Sequence, residues 1–165
     1  MYNLDLKLET ERLVLICESY ESMCAAAENG DELASDFKNA YQYHSALAEE
    51  GSFHKEDLIW YRTWTFYDKS ENNVIGGGIF KGEPKEGGYV EIGYGISDEA
   101  QGCGYATEGI GCLINWAFNK MRVPGVIAES DKDNIASIRV LEKLEFERTH
   151  ETEELYYWLK INKSI

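Results

Sequence analysis

The chain has 165 residues and a mass of 18.8 kDa, close to the length of one domain. Apolar residues make up 44% and aromatics 13%, which excludes a disordered chain and a disulfide-stapled miniprotein. The 16 Lys and Arg face 30 Asp and Glu, a net charge of −14, which argues against nucleic acid or an anionic membrane surface and favours a neutral or cationic partner.

Arg12–Cys17, a short apolar run, predicts a first strand. From Glu18 to about Glu50 the chain is rich in Ala, Glu, Leu and Tyr, and a break at Gly30-Asp31 predicts two helices. Ile59–Tyr67, loaded with Trp, Tyr, Thr and Phe, predicts a strand. A polar turn at Asp68–Asn73, a strand at Val74–Lys81, a turn at Gly82–Gly88 and a strand at Tyr89–Ile96 follow. Such short connections imply an antiparallel meander. Ala106, Ile110, Leu113, Ile114, Ala117, Phe118 and Met121 recur at helical spacing, and Pro124-Gly125 ends that helix. A strand at Val126–Glu129, a helix at Asn134–Leu144 and strands at Phe146–His150 and Leu155–Ile161 close the chain. The strand–helix–strand unit across 89–130 should pair in parallel through a right-handed crossover. The expected architecture is a single α/β (α+β) domain over residues 1–165, a mixed sheet with helices on its faces.

Met1 to Lys7 show no basic segment followed by an apolar run, and no stretch approaches the ~18 apolar residues of a membrane span. Cys17, Cys24, Cys103 and Cys112 form no Cys-x-x-Cys pair, and His44, His54 and His150 are scattered. The expectation is a cytoplasmic protein with reduced thiols and no metal site.

Between the strand ending at Ile96 and the long helix lies Ser97-Asp98-Glu99-Ala100-Gln101-Gly102-Cys103-Gly104-Tyr105-Ala106-Thr107. The first N–H groups of a helix lack internal partners and carry the positive end of its dipole. Glycines just ahead of them let an anion approach the main chain, so an acidic protein can hold a phosphorylated ligand without a basic surface. The alternative is an ordinary glycine turn. A Walker loop is absent, and Thr107 stands where a dinucleotide fingerprint needs Gly or Ala.

Gln101-Gly102-Cys103-Gly104-Tyr105-Ala106 resembles the acyl-CoA pyrophosphate loop of the GCN5-related N-acetyltransferases, Gln/Arg-x-x-Gly-x-Gly/Ala. Thr10-Glu11-Arg12-Leu13 resembles the opening of the family's ribosomal-protein N-terminal acetyltransferase branch, and Glu91-Ile92-Gly93-Tyr94 its fourth strand. Asn134-Ile135-Ala136-Ser137 with Leu141-Glu142-Lys143-Leu144-Glu145-Phe146 resembles its second cofactor segment. The resemblance implies a sheet of about seven strands with about four helices, whose fourth and fifth strands splay apart around a pantetheine arm. It implies acetyl-CoA as cofactor, held by N–H groups from Gln101 to Thr107, by the strand end at Ile96 and by Asn134. Asn134 has a competing role as helix cap.

By the same resemblance the protein is an N-acetyltransferase, moving acetyl directly to a primary amine, a protein N-terminus or a small molecule, in a ternary complex. A lysine-type amine is neutral in only ~1 of 2,500 molecules at pH 7, an α-amine in ~1 of 7. Glu91 is the candidate base, or else a carboxylate in a charge pair. Main-chain N–H groups beside the splayed strands would stabilise the oxyanion. The family often carries a tyrosine seven residues past the asparagine to protonate the thiolate, but Leu141 stands there. Ser137, three past the asparagine, is the candidate donor, or else an ordinary helix hydroxyl. Cys103 lies inside the loop without a nearby histidine, which favours a spacer over an acyl-carrying nucleophile. The family's Leu-Gly-Phe ending is Leu144-Glu145-Phe146 here, which predicts a modified helix cap.

Leu141 also admits a second expectation, a non-catalytic acyl-CoA-binding or sensory module. Acceptor recognition is expected from the two N-terminal helices and the strand turns, where Tyr41, Tyr43, His44, Trp60, Trp64 and Tyr67 cluster. A monomer and a homodimer are both compatible, the latter through an exposed edge strand or Tyr156-Tyr157-Trp158.

Overall fold

The computed structural model describes residues 6–165; the start of the Met1–Lys7 segment, residues 1–5, lies outside the described residues. In chain order the elements are β1 (Lys7–Glu9), β2 (Leu13–Cys17), α1 (Tyr20–Glu28), α2 (Glu32–Glu49), β3 (Trp64–Asp68), β4 (Val74–Phe80) and β5 (Val90–Ile96). They continue with α3 (Tyr105–Asn119), β6 (Gly125–Asp131), α4 (Ile135–Lys143), β7 (Glu147–Glu151) and β8 (Leu155–Ile161). One eight-stranded sheet runs β1-β2-β3-β4-β5-β6-β8-β7. All neighbours pair antiparallel except β5 and β6, which are parallel, so the expected meander and crossover pair as the connection lengths require.

α1, α2 and α4 start where the chain supplies side-chain acceptors. Ser19 accepts from the Ser22 N–H and Asp31 from the Ala34 N–H, capping α1 and α2 on either side of Gly30. Ile59–Tyr67 is corrected: Lys55–Tyr61 is a 3₁₀ segment and the strand begins only at Trp64. Ile59 and Trp60 are buried, and their strand-favouring character reflects fit to a packed surface rather than backbone extension.

In β2 and β3 buried residues alternate with half-buried ones, so one face of the sheet is packed. Trp64 and Phe66 lie on that face against α3: Trp64 stacks edge-on with Trp116, and a Cβ on Gly109 would come within 2.6 Å of Phe66. Thr65 and Tyr67 point to the other face, toward α1 and α2.

Two elements position the site. β5 and β6 pair only at Val90↔Val126 and Glu91↔Ile127. Beyond that point β5 stays with β4 as far as Ile96↔Gly76, while β6 stays with β8 as far as Asp131↔Leu155. The central strands therefore splay, as the resemblance implies.

Tyr156–Trp158 does not form an exposed edge, because β8 lies between β6 and β7. Trp158 is buried, its indole N–H donating to Ser130 Oγ at 2.9 Å, and Arg148 covers Tyr156 with 3.9 Å to the ring centroid. The edge there is β7, whose five residues are all exposed and largely charged or polar.

Candidate active site

The loop from Gln101 to Tyr105 turns sharply because Gly102 and Gly104 adopt φ of +75° and +81°, a region that side chains disfavour. Gly104 caps α3 with no side chain of its own. Among the described residues, none of the six consecutive N–H groups from Gly102 to Thr107 donates to a protein acceptor. Six unpaired donors at a helix N-terminus form an anion cradle.

Gln101 differs from the expectation. Its N–H turns back to the Asp98 carbonyl at 3.4 Å, and its side-chain amide donates to the Ile96 carbonyl at 3.1 Å and to Asp98 Oδ1 at 3.2 Å. Gln101 thus ties the loop to the end of β5, and the free donors begin at Gly102. Cys103 is exposed within the loop.

Residues 10–12 brace this cradle. Thr10 Oγ1 and the Arg12 N–H donate to Glu108 Oε1 at 2.5 and 2.8 Å, and Arg12 Nε donates to Glu108 Oε2 at 2.7 Å. Arg12 Nη1 donates to the Cys103 carbonyl at 2.9 Å, and its guanidinium lies 4.3 Å from the Tyr105 ring centroid. Tyr105 in turn donates to Asp68 Oδ2 at 2.8 Å. Burial pushes the Glu108 carboxyl up, but the bonds from Thr10 and Arg12 outweigh it and hold the group below its ordinary value.

On the α4 side, Asn134 Oδ1 accepts from the Ser137 N–H at 3.0 Å, so Asn134 caps its helix. Ser137 Oγ shares a 2.9 Å hydrogen bond with the hydroxyl of Tyr94, which reaches across from β5. Burial pushes the Tyr94 phenol above its usual pKa, against the opposing bond from Ser137. Leu141 is wholly buried and packs in the core. Tyr94 is the site residue that sequence reasoning missed as a hydroxyl donor; the only signal was its place in Glu91-Ile92-Gly93-Tyr94.

Glu91 sits where β5 and β6 part, with Oε1 2.7 Å from Lys81 Nζ and Oε2 3.6 Å from Lys85 Nζ. Both oxygens are engaged by ammonium groups.

A groove of about 780 Å³ lies on the α1–α2 face, along β3 and β4 and the second half of β5. β5 connects it to the cradle: Gly93 and Gly95 face the groove, whereas Tyr94 and Ile96 face α3 and α4. Of the clustered aromatics, Tyr67 lines the groove and Trp64 bounds it. Trp60 is core, Tyr41 stacks on Tyr20, His44 stacks on Tyr61, and Tyr43 is 63% exposed. Among the described residues no group of three His, Cys, Asp or Glu could hold a metal ion, and no helix is long and apolar enough to cross a membrane. The four cysteines are free.

Comparison with known proteins agrees with this geometry. A family model described as an acetyltransferase (GNAT) domain matches residues 18–147. The chain is similar to the uncharacterized N-acetyltransferase YjdG of Bacillus subtilis (strain 168), 31% identical over 135 residues, 82% of this chain and 78% of the relative. Its fold is similar to that of the ribosomal-protein-S5-alanine acetyltransferase of Vibrio fischeri, with TM-score 0.73, 17% identity, and 97% and 98% of the two chains covered. It is also similar to the ribosomal L7/L12 α-N-protein acetyltransferase RimL in complex with coenzyme A, with TM-score 0.67, 15% identity, and 94% and 97% covered. The chain therefore belongs to the GNAT acetyltransferases, acyltransferases that depend on acetyl-CoA.

Proposed function

We propose that the protein transfers an acetyl group from acetyl-CoA directly to the primary amine of an acceptor lying in the groove on the α1–α2 face. The observation that carries this reading is the run of six unpaired N–H groups from Gly102 to Thr107 beside a strand edge that β6 has left. Those donors fit a diphosphate, and the edge of β5 that β6 has left fits a pantetheine arm bonded as an added strand is, although the Ile96 carbonyl there already accepts from the Gln101 side-chain amide. Asn134 retains its carboxamide N–H₂ for that arm while its oxygen caps α4.

Bound acetyl-CoA supplies a thioester that a neutral amine can attack. Ser137 Oγ would give its proton to the thiolate released as the amine displaces it, the Tyr94 O–H would restore that proton across their 2.9 Å bond, and solvent would reprotonate the phenol. Glu91 takes the proton of the amine, and with both oxygens engaged it does so by exchanging Lys81 for the incoming ammonium. The groove's charged lining residues, Glu18 and Asp31, are both acidic and favour a cationic acceptor. The Tyr94–Ser137 pair supplies the hydroxyl that a buried Leu141 does not, which supports catalysis over a binding-only module.

Two measurements test this. Saturating acetyl-CoA should raise Tm, and free thiol should be released from acetyl-CoA when a primary amine is present. Gly104→Val, which forces a β-branched side chain to φ of +81°, should weaken the Tm shift. Coenzyme binding with no thiol release to any amine would contradict catalysis; no Tm shift would contradict the cradle.

A further inference from the structure

Five glycines border the groove along β4 and β5; packing requires three of them and restricts a fourth. A Cβ on Gly76 would come within 2.3 Å of the Gly95 carbonyl, on Gly77 within 2.5 Å of the Trp64 carbonyl, and on Gly78 within 2.7 Å of Leu113. Gly93 is crowded by Ile79 at 3.3 Å. Gly95 is different. A Cβ there would meet nothing within 4 Å, and its φ is not in the left-handed region.

Glycine in a strand interior weakens the strand unless a ligand or another chain must approach closely. Gly95 lies within β5, paired with Gly77, exposed on the groove face and one residue before the strand end at Ile96. Packing leaves its lack of a side chain unexplained; the groove explains it.

We infer that Gly95 is a specificity-determining residue: its missing side chain opens the groove for an acceptor whose amine is carried on a broad apolar group. This rests on the proposed reading of the groove as the acceptor site. Leu33 and Met23 supply the apolar wall, Tyr67 lines the same face, and the acidic Glu18 and Asp31 suit an amine that arrives charged. A slender polymethylene amine needs none of the width that Gly95 leaves, whereas a ring lying flat on the bare main chain does.

The test is steady-state acetylation of 2-phenylethylamine and n-butylamine by the full chain and by Gly95→Ala and Gly95→Val. Valine suits an extended strand, and the coenzyme-induced Tm shift of each variant reports that fold and cradle survive. The wild type should favour 2-phenylethylamine at least about tenfold in kcat/KM. That ratio should fall in steps through alanine to valine, mainly through KM for the bulky amine. Equal use of both amines by the wild type, or a ratio unaltered in Gly95→Val, overturns the inference while leaving the acetyltransferase reading intact. Turnover of neither amine, with the Tm shift retained, overturns it as well. Loss of the shift in the wild type would instead strike at the cradle itself.

Discussion

Arg12 and Glu108, 96 positions apart in the chain, meet with Nε 2.7 Å from Oε2, and the same guanidinium donates to the Cys103 carbonyl at 2.9 Å. One side chain therefore fastens the glycine loop to both β2 and the first turn of α3. The carboxylate of Glu108 would oppose an incoming diphosphate, and Arg12 neutralises it while leaving the main-chain donors open.

Arg12→Ala should leave Glu108 without its cation and the loop without its brace. The pair is partly solvated, so the expected loss is about 1–2 kcal/mol of stability, roughly 2–8 °C in Tm. Coenzyme affinity should fall about tenfold or more as the loop loses its fixed geometry. Thermal unfolding and calorimetric titration with coenzyme A check both; an unaltered affinity would remove the brace from the account.

Because the Glu108 carboxyl is held below its ordinary value in the folded protein, its contribution to stability is present above the unfolded value of ~4.3. That contribution is lost as pH falls through the lower folded value. The stability difference between wild type and Glu108→Gln should therefore be constant from pH 7 to about 5 and shrink below about 4. Urea unfolding across that range reads it directly, and a gap that widened in acid would contradict the assignment.

Tyr94 and Ser137 should behave as one unit. Tyr94→Phe and Ser137→Ala are each expected to lower kcat by about tenfold or more, and the double variant little further than the worse single one. Fully additive losses in steady-state kinetics would show that the two hydroxyls act separately.

Glu145 adopts φ of +61° at the end of α4. The Phe146 N–H bonds the Leu141 carbonyl and the Glu145 N–H the Glu142 carbonyl, both at 3.0 Å, the pairing of a Schellman cap. The cap is kept in full with a non-glycine residue, at a cost. Glu145→Gly should stabilise the protein by about 0.5–1 kcal/mol, roughly 1–4 °C in Tm, since the ion pair it gives up with Lys160 is long, at 3.6 Å, and Glu145 itself is exposed. A fall in Tm would show that the ion pair outweighs the strain.

The helices and the β3–β4–β5 meander were legible because apolar periodicity and turn residues are local signals. So was the glycine loop, whose free donors follow from the helix start beside Gly102 and Gly104. The 3₁₀ segment at Lys55–Tyr61 was not, because its aromatics answer to burial against the sheet. β1 was missed because three residues paired at a sheet edge carry no pattern. The Tyr94–Ser137 bond joins β5 to α4 across the splay, and the roles of Arg12 and Glu91 depend on partners that only the fold assembles. Gly95 carried a signal, a glycine inside a predicted strand, but its meaning required knowing which neighbouring glycines were sterically forced.

The most direct measurement is the backbone amide NMR response of Gly102 to Thr107 to coenzyme A, compared with pantetheine, which lacks the diphosphate. Large shifts at these six residues with coenzyme A, and weak ones with pantetheine, are the predicted result. Amides that ignore coenzyme A, or answer both ligands alike, would contradict the diphosphate cradle on which the account rests.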